Sequence, residues 1–145
     1  MKRVLFLFTL FASFVTTSVN AQGRTNIDKQ PVWGPTGYDQ VDYYYIPEAD
    51  AYYNVSRQKY VYLQANKWVF RNSLPARHKN LDLYKTYKIV INGDKPYRQH
   101  KEHQTKYASY KNRRDQPVIK DSREEKYFIN KKHPGHKTWK KNKQK

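Results

Sequence analysis

The chain of 145 residues contains no cysteine. That absence excludes a disulfide framework, thiol catalysis and thiolate metal sites, and it leaves no anchor point of the lipoprotein kind. Acidic residues are scarce: 12 Asp and Glu stand against 29 Lys and Arg, a formal net charge of +17. No Gly-rich phosphate loop, Gly-x-Ser-x-Gly elbow or His-Glu-x-x-His pair occurs. Serines are few, and none sits beside a recognisable base. These gaps argue against an enzyme, and no cofactor is implied.

What the chain does have is tyrosine, 14 of them, in a composition that is 16% aromatic. The first 21 residues stand apart. Lys2 and Arg3 precede an apolar run, Val4 to Val15, and Val19-Asn20-Ala21 offers small residues to a signal peptidase. This reads as a cleaved signal peptide, residues 1–21, and predicts a periplasmic or extracellular protein. The apolar run is short for a membrane span.

Charge is distributed unevenly. Residues 22–94 carry a net charge of +3 and residues 95–145 a net charge of +12. The C-terminal part therefore generates the field, and it suggests a basic arm attracted to polyanions. The bland alternative is a solvated tail that only keeps the protein soluble.

Tyr43 to Pro75 reads as a β-meander, because aromatic and β-branched runs alternate with polar breaks. One hairpin is specified residue by residue. With Ala65-Asn66 as a two-residue turn, Leu63 faces Trp68, Tyr62 faces Val69, Val61 faces Phe70 and Tyr60 faces Arg71. Val61, Leu63, Trp68 and Phe70 then share an apolar face, and Tyr60, Tyr62, Val69 and Arg71 an amphipathic one. A slip of one residue would split the apolar set, so the pattern selects this register. The preceding hairpin is open: Ser56-Arg57-Gln58, or the same residues with Lys59, would form its loop, and the two choices put Tyr52 and Tyr53 on opposite faces.

Residues 22–40, with Pro31, Gly34, Pro35 and Gly37, read as an extended lead-in, with Trp33 as a packing anchor or a ligand platform. The α+β domain is expected over 41–112. Asn80 would cap one helical turn, and Tyr87–Ile91 would complete the sheet. Asp94 and Pro96 would open a helix from about Lys95 to Asn112, with Tyr97, His100, Gln104 and Tyr107 on its packed stripe. Residues 113–145 read as a basic, mostly flexible tail. Ser122-Arg123-Glu124-Glu125 would start a short helix through Ile129, and the chain from Lys131 onward is expected to be mobile.

Candidate functional residues follow from this layout. In the tail, Lys137, Lys140 and Lys141 flank Trp139, a combination that neutralises anions while an aromatic ring stacks or dips into an interface. Arg98 and Lys101 add charge on the helix. Tyr60, Tyr62 and Arg71 offer a contact on the sheet face. His100 and His103 lie one helical turn apart and are weak metal candidates, with Lys101 and Lys106 nearby to repel a cation. Asp39, Asp42, Glu48 and Asp50 form the one acidic concentration, with no third catalytic group recognisable near them.

The runs Tyr44–Tyr53, Lys59–Leu63, Lys67-Trp68 and Ser73–Pro75, followed by Pro96-Tyr97-Arg98-Gln99-His100, resemble small secreted, Tyr-rich basic proteins of the Bacteroidota type. The resemblance spans about residues 41–110 and rests on structural, aromatic motifs. That group carries no established activity, so the resemblance implies an envelope location and brings no functional residue with it.

The expectation is thus a secreted α+β domain: an antiparallel meander of three to five strands, one helix in the C-terminal half and a basic tail. Its expected role is non-catalytic binding of an anionic envelope component, lipopolysaccharide, anionic lipid or polysaccharide, with DNA bound only non-specifically. The alternatives are a protein–protein module using the Tyr-rich sheet face and a metal-dependent hydrolase.

Overall fold

A computed structural model describes residues 23–144. The expected signal peptide, residues 1–21, lies outside the described residues. Five antiparallel strands form one sheet: β1 (Tyr43–Ile46), β2 (Ala51–Asn54), β3 (Lys59–Gln64), β4 (Lys67–Arg71) and β5 (Ile89–Ile91), in the order β4-β3-β2-β1-β5. Two short α-helices follow, α1 (His100–Lys106) and α2 (His136–Lys143). The fold is a small α+β fold. Among the described residues no helix is long and apolar enough to cross a membrane.

The β3–β4 hairpin has the register that the alternation selects, with Tyr60 opposite Arg71 and Leu63 opposite Trp68. Ala65 and Asn66 both adopt positive φ, 48° and 59°. That is the backbone a two-residue turn needs to match the twist of its strands. The preceding loop is neither of the two expected. Asn54 pairs with Lys59, so the loop is Val55–Gln58. Asn54 Oδ1 accepts bonds from the Arg57 N–H at 2.7 Å and the Ser56 hydroxyl at 2.9 Å, which tightens the turn. Val55, strand-like by type, is instead fully buried in the loop.

Both faces of the sheet are covered. On one face Tyr43, Tyr45, Tyr52 and Val61 pack with Trp68, Phe70, Ile89 and Ile91 beneath Tyr97 and Tyr107 of the helical segment. On the other, Tyr44 and Tyr53 meet Trp33, while Ile46, Ala51, Tyr60 and Tyr62 meet Leu74, Leu81 and Leu83. Trp33 is the packing anchor: its ring meets Tyr44 and Tyr53 edge-on at centroid distances of 5.5 and 5.0 Å. Gly34 is required there, since a Cβ at that position would lie 2.7 Å from the Tyr44 hydroxyl oxygen.

Three local expectations are corrected. The helix expected from Lys95 to Asn112 is divided into a 3₁₀ turn (Pro96–Gln99), α1 and a second 3₁₀ turn (Ala108–Tyr110). Asp94 does not cap it; Lys95, at φ 47°, is the residue before the first turn, and Pro96 fills the first position. Asp82, not Asn80, organises the loop before β5, accepting the Tyr84 N–H on Oδ1 at 3.0 Å.

The largest correction concerns residues 113–145. They are not a free tail over the described range. Ile119 N–H donates to the Gly34 carbonyl and Lys120 N–H to the Val32 carbonyl, both at 2.8 Å, so the segment pairs with the lead-in. Ile119 and Tyr127 form a cluster with Ile27 and Val32. Asn130, 1% exposed, donates to the carbonyls of Ile27 and Gln30. Few apolar residues are needed because each meets a partner about a hundred residues earlier in the chain. Ser122 Oγ accepts the Glu124 N–H, and a 3₁₀ helix runs from Glu125 to Ile129.

Lys88 is buried to 1% exposure, and its ammonium donates to the Leu83 carbonyl at 2.8 Å. Burial pushes its pKa down to about 8, against a weaker opposing pull from Asp82. The unfolded chain therefore binds the Lys88 proton more tightly than the folded one between about pH 8 and the ordinary lysine value. Stability should rise through pH 8 to 9.5 by about 1 to 2 kcal/mol. Above that window the buried tyrosines, whose pKa values burial raises, oppose the rise. Urea denaturation at pH 7.5 and 9.5 should show the increase in the native chain and its absence in Lys88→Met.

Candidate functional site

One group of exposed basic residues lies on α2 and in the turn before it. Lys137, Lys140 and Lys141 are exposed, as are Lys131 and Lys132 in the turn before it. No carboxylate lies within ion-pair distance of these five among the described residues. The helix brings the three lysines together because positions three and four apart share a face. Trp139 does not join them. Two residues of α-helix rotate by about 200°, so Trp139 points away from Lys137. Its indole N–H donates to Glu125 Oε1 at 2.9 Å, and Lys143 pairs with the same oxygen at 3.6 Å. His136 Nδ1 lies 2.7 Å from the Phe128 carbonyl oxygen. The inner face of α2 thus holds the helix to the body, and the outer face is a lysine row.

Beside Trp139 lies a cleft of about 590 Å3, with Ile27, Ile129 and Trp139 as its apolar wall and Arg24, Asp39 and Lys126 at its rim. Its cation Lys126 is already paired, with Asp39 at 3.0 Å and Glu124 at 3.6 Å.

The other expected contact residues fall elsewhere. Arg98 and Lys101 are exposed on the helical segment. Tyr60 and Tyr62 do not form an open platform. They are half-buried beneath Leu74, Leu81 and Leu83, and burial pushes the Tyr60 hydroxyl up to about 12. Only Arg71 of that trio is exposed. The loop that follows β4 therefore covers part of the Tyr-rich sheet face.

His100 and His103 meet a different partner from the one their spacing suggests. His103 Nδ1 lies 2.8 Å and His100 Nδ1 3.4 Å from the Tyr52 hydroxyl. His100 Nε2 lies 3.2 Å from Asp50 Oδ2, which also accepts the Gln104 amide at 2.7 Å, and Tyr45 O–H donates to Asp50 Oδ1 at 3.0 Å. The imidazole nitrogens converge on a phenol and a carboxylate. Among the described residues no group of three or more His, Asp or Glu side chains stands in position to hold a metal ion.

This network brings Asp50, from the acidic concentration, to two histidines about fifty residues later. No sequence spacing links them. The one local sign is Asp50 itself, a residue tolerant of left-handed backbone, at φ 49° in the β1–β2 turn. Chemically the network is a fastening between helix and sheet. Tyr52 is fully buried and its pKa is raised, chiefly by burial, so its hydroxyl stays protonated at neutral pH and is held beside the two imidazoles.

Comparison with protein families, with curated proteins and with solved structures finds no match for this chain.

Removing the phenol from the network has a defined outcome. Tyr52→Phe should lower stability by about 1 to 2 kcal/mol, because His103 loses a partner while buried. Burial holds the His103 pKa below the ordinary histidine value. The unfolded chain then takes up the proton first, and stability should fall as pH drops below 6.5. Chemical denaturation between pH 7 and 5 should show that decline in the native chain and a shallower one in His103→Gln.

Proposed function

We propose that this protein is a secreted, non-catalytic component of a cell envelope that binds an anionic polymer or lipid surface through the outer face of α2. The observation that carries the reading is the lysine row Lys137, Lys140 and Lys141, exposed and without carboxylate partners, on a helix fastened to the domain by its opposite face. In a free tail such lysines would lose conformational entropy on binding. On a docked helix their spacing is already set, and less ordering opposes association. The contact is electrostatic and little dependent on the sequence or stereochemistry of the ligand. Trp139 serves to hold the helix rather than to stack on the ligand.

The fold changes how this reading is tested. Truncation at residue 112 would strip Ile119, Tyr127 and Asn130 from the lead-in and disturb the domain, so point substitutions are needed. Residues 22–145 and the triple variant Lys137→Gln, Lys140→Gln, Lys141→Gln should be titrated with lipopolysaccharide, anionic vesicles and duplex DNA over a salt series. The variant should fold normally and bind at least tenfold more weakly at low salt. On DNA the slope of log affinity against log salt should shrink by about 2 to 3, because the substituted lysines no longer neutralise phosphates. Equal binding by the two proteins would reject the lysine row as the binding surface.

A further inference from the structure

Residues 51–81 contain six Lys and Arg and no Asp or Glu. They form β2, β3, β4 and the loop beyond, so this side of the sheet has no acidic residue in its own strands. This side ends in β4, an edge strand.

The two edges of the sheet are treated differently. Next to β5, the Gln116 side chain imitates a neighbouring strand: it accepts the Lys88 N–H at 2.9 Å and donates to the Lys88 carbonyl at 2.8 Å. At β4 nothing comparable occurs. The two-residue turn makes Gln64 and Lys67 a hydrogen-bonded pair, so Lys67, Val69 and Arg71 point their backbone groups at β3. Trp68 and Phe70 then point theirs outward. Among the described residues the one group that reaches them is the Arg71 guanidinium, 3.3 Å from the Phe70 carbonyl oxygen.

Cations frame this open edge. Lys67 and Arg71 stand at its two ends and are exposed. The Arg57 guanidinium sits 5.2 Å above the Phe70 ring, and the Lys59 ammonium bonds to the Asn72 side chain. A second copy of the chain pairing antiparallel at this edge would set Lys67 against Arg71, and like charges directly opposite are destabilising. The edge is therefore guarded against itself and complementary to acid.

We propose that the β4 edge accepts an extended acidic peptide segment of a partner protein as an added sheet strand. The Trp68 and Phe70 N–H and C=O groups would pair with the peptide backbone, and Lys67 and Arg71 would meet its carboxylates. Arg71 would exchange its bond to the Phe70 carbonyl for one to a side-chain carboxylate. This surface is separate from the lysine row on α2.

The probe is an acetylated, amidated octapeptide of alternating Glu and Val, beside a peptide of identical composition with D-Val throughout. The second keeps the charge but cannot present a regular strand edge. Amide hydrogen exchange is followed by NMR on residues 22–145. Saturation with the L-peptide should slow exchange at Trp68 and Phe70 by at least tenfold, and the D-Val peptide should bind at least tenfold more weakly. Lys67→Glu with Arg71→Glu should abolish L-peptide binding while leaving the spectrum of the fold unchanged. Binding of the two peptides within threefold of each other would overturn the proposal in favour of plain charge attraction. So would unchanged exchange at Trp68 and Phe70 on saturation, or no binding at millimolar peptide in low salt. Protection of those two amides in the peptide-free protein, growing with concentration, would assign the edge to a second copy instead.

Discussion

A buried tyrosine is stable only when its hydroxyl finds a hydrogen-bond partner, and this protein buries several of them in one sheet. Tyr44, Tyr45 and Tyr52 are each at most 1% exposed, and none has a hydroxyl partner within the strands. The partners come from outside. Tyr44 O–H donates to Gln30 of the lead-in at 3.0 Å, Tyr45 to Asp50 in the first turn, and Tyr52 meets His103 of α1. Tyr127 completes the set in reverse, accepting the Gly37 N–H at 2.6 Å from the C-terminal half. Each hydroxyl therefore ties a non-sheet segment to a defined place. With no disulfide to hold those segments, this polar fastening and the ring packing around it give the chain its shape.

The same constraint explains where the charge ends up. Both faces of the sheet are occupied by aromatic packing, and the acidic side chains are spent in pairs: Glu48 with Arg114 at 2.8 Å, Asp39 with Lys126 at 3.0 Å, Asp50 with His100. The excess cations are left at the periphery, among them those on the outer face of α2 and around the β3–β4 hairpin. Exposed pairs of this kind add little stability, and under the proposed function the surplus charge serves binding to other molecules. Two surfaces of different character result. One is a helical row of lysines suited to a diffuse polyanion, the other a strand edge with directional hydrogen-bonding groups.

Legibility in the sequence tracks distance along the chain. The β3–β4 register is readable because Asn66 suits a left-handed turn and the alternation allows only one pairing. The loop before it is not, because Asn54 closes the turn with its side chain and Val55, strand-like by type, is buried within the loop. The lysines of α2 are legible by composition, but their arrangement is not: Trp139 and Lys137 are two residues apart in sequence and face opposite ways on the helix. The order in residues 113–144 is hidden because its partners, Ile27, Val32 and the Gln30 carbonyl, lie about a hundred residues away. The Asp50–His100–Tyr52–His103 network is hidden for the same reason. Two stretches about fifty residues apart supply it, Asp50 with Tyr52 and His100 with His103.

The central claim, that tyrosine hydroxyls fasten the flanking segments to the sheet, is tested most directly by amide hydrogen exchange on Tyr44→Phe beside the native chain. The substitution keeps the ring and its packing against Trp33 but leaves Gln30 Oε1 without its donor. The account predicts faster exchange at Gln30, Ile119, Lys120 and Asn130, whose N–H groups lie where the lead-in and the C-terminal half meet, with Tyr60 to Phe70 unchanged. Exchange at those four amides equal to the native rates would contradict it, and would make ring packing alone the fastening.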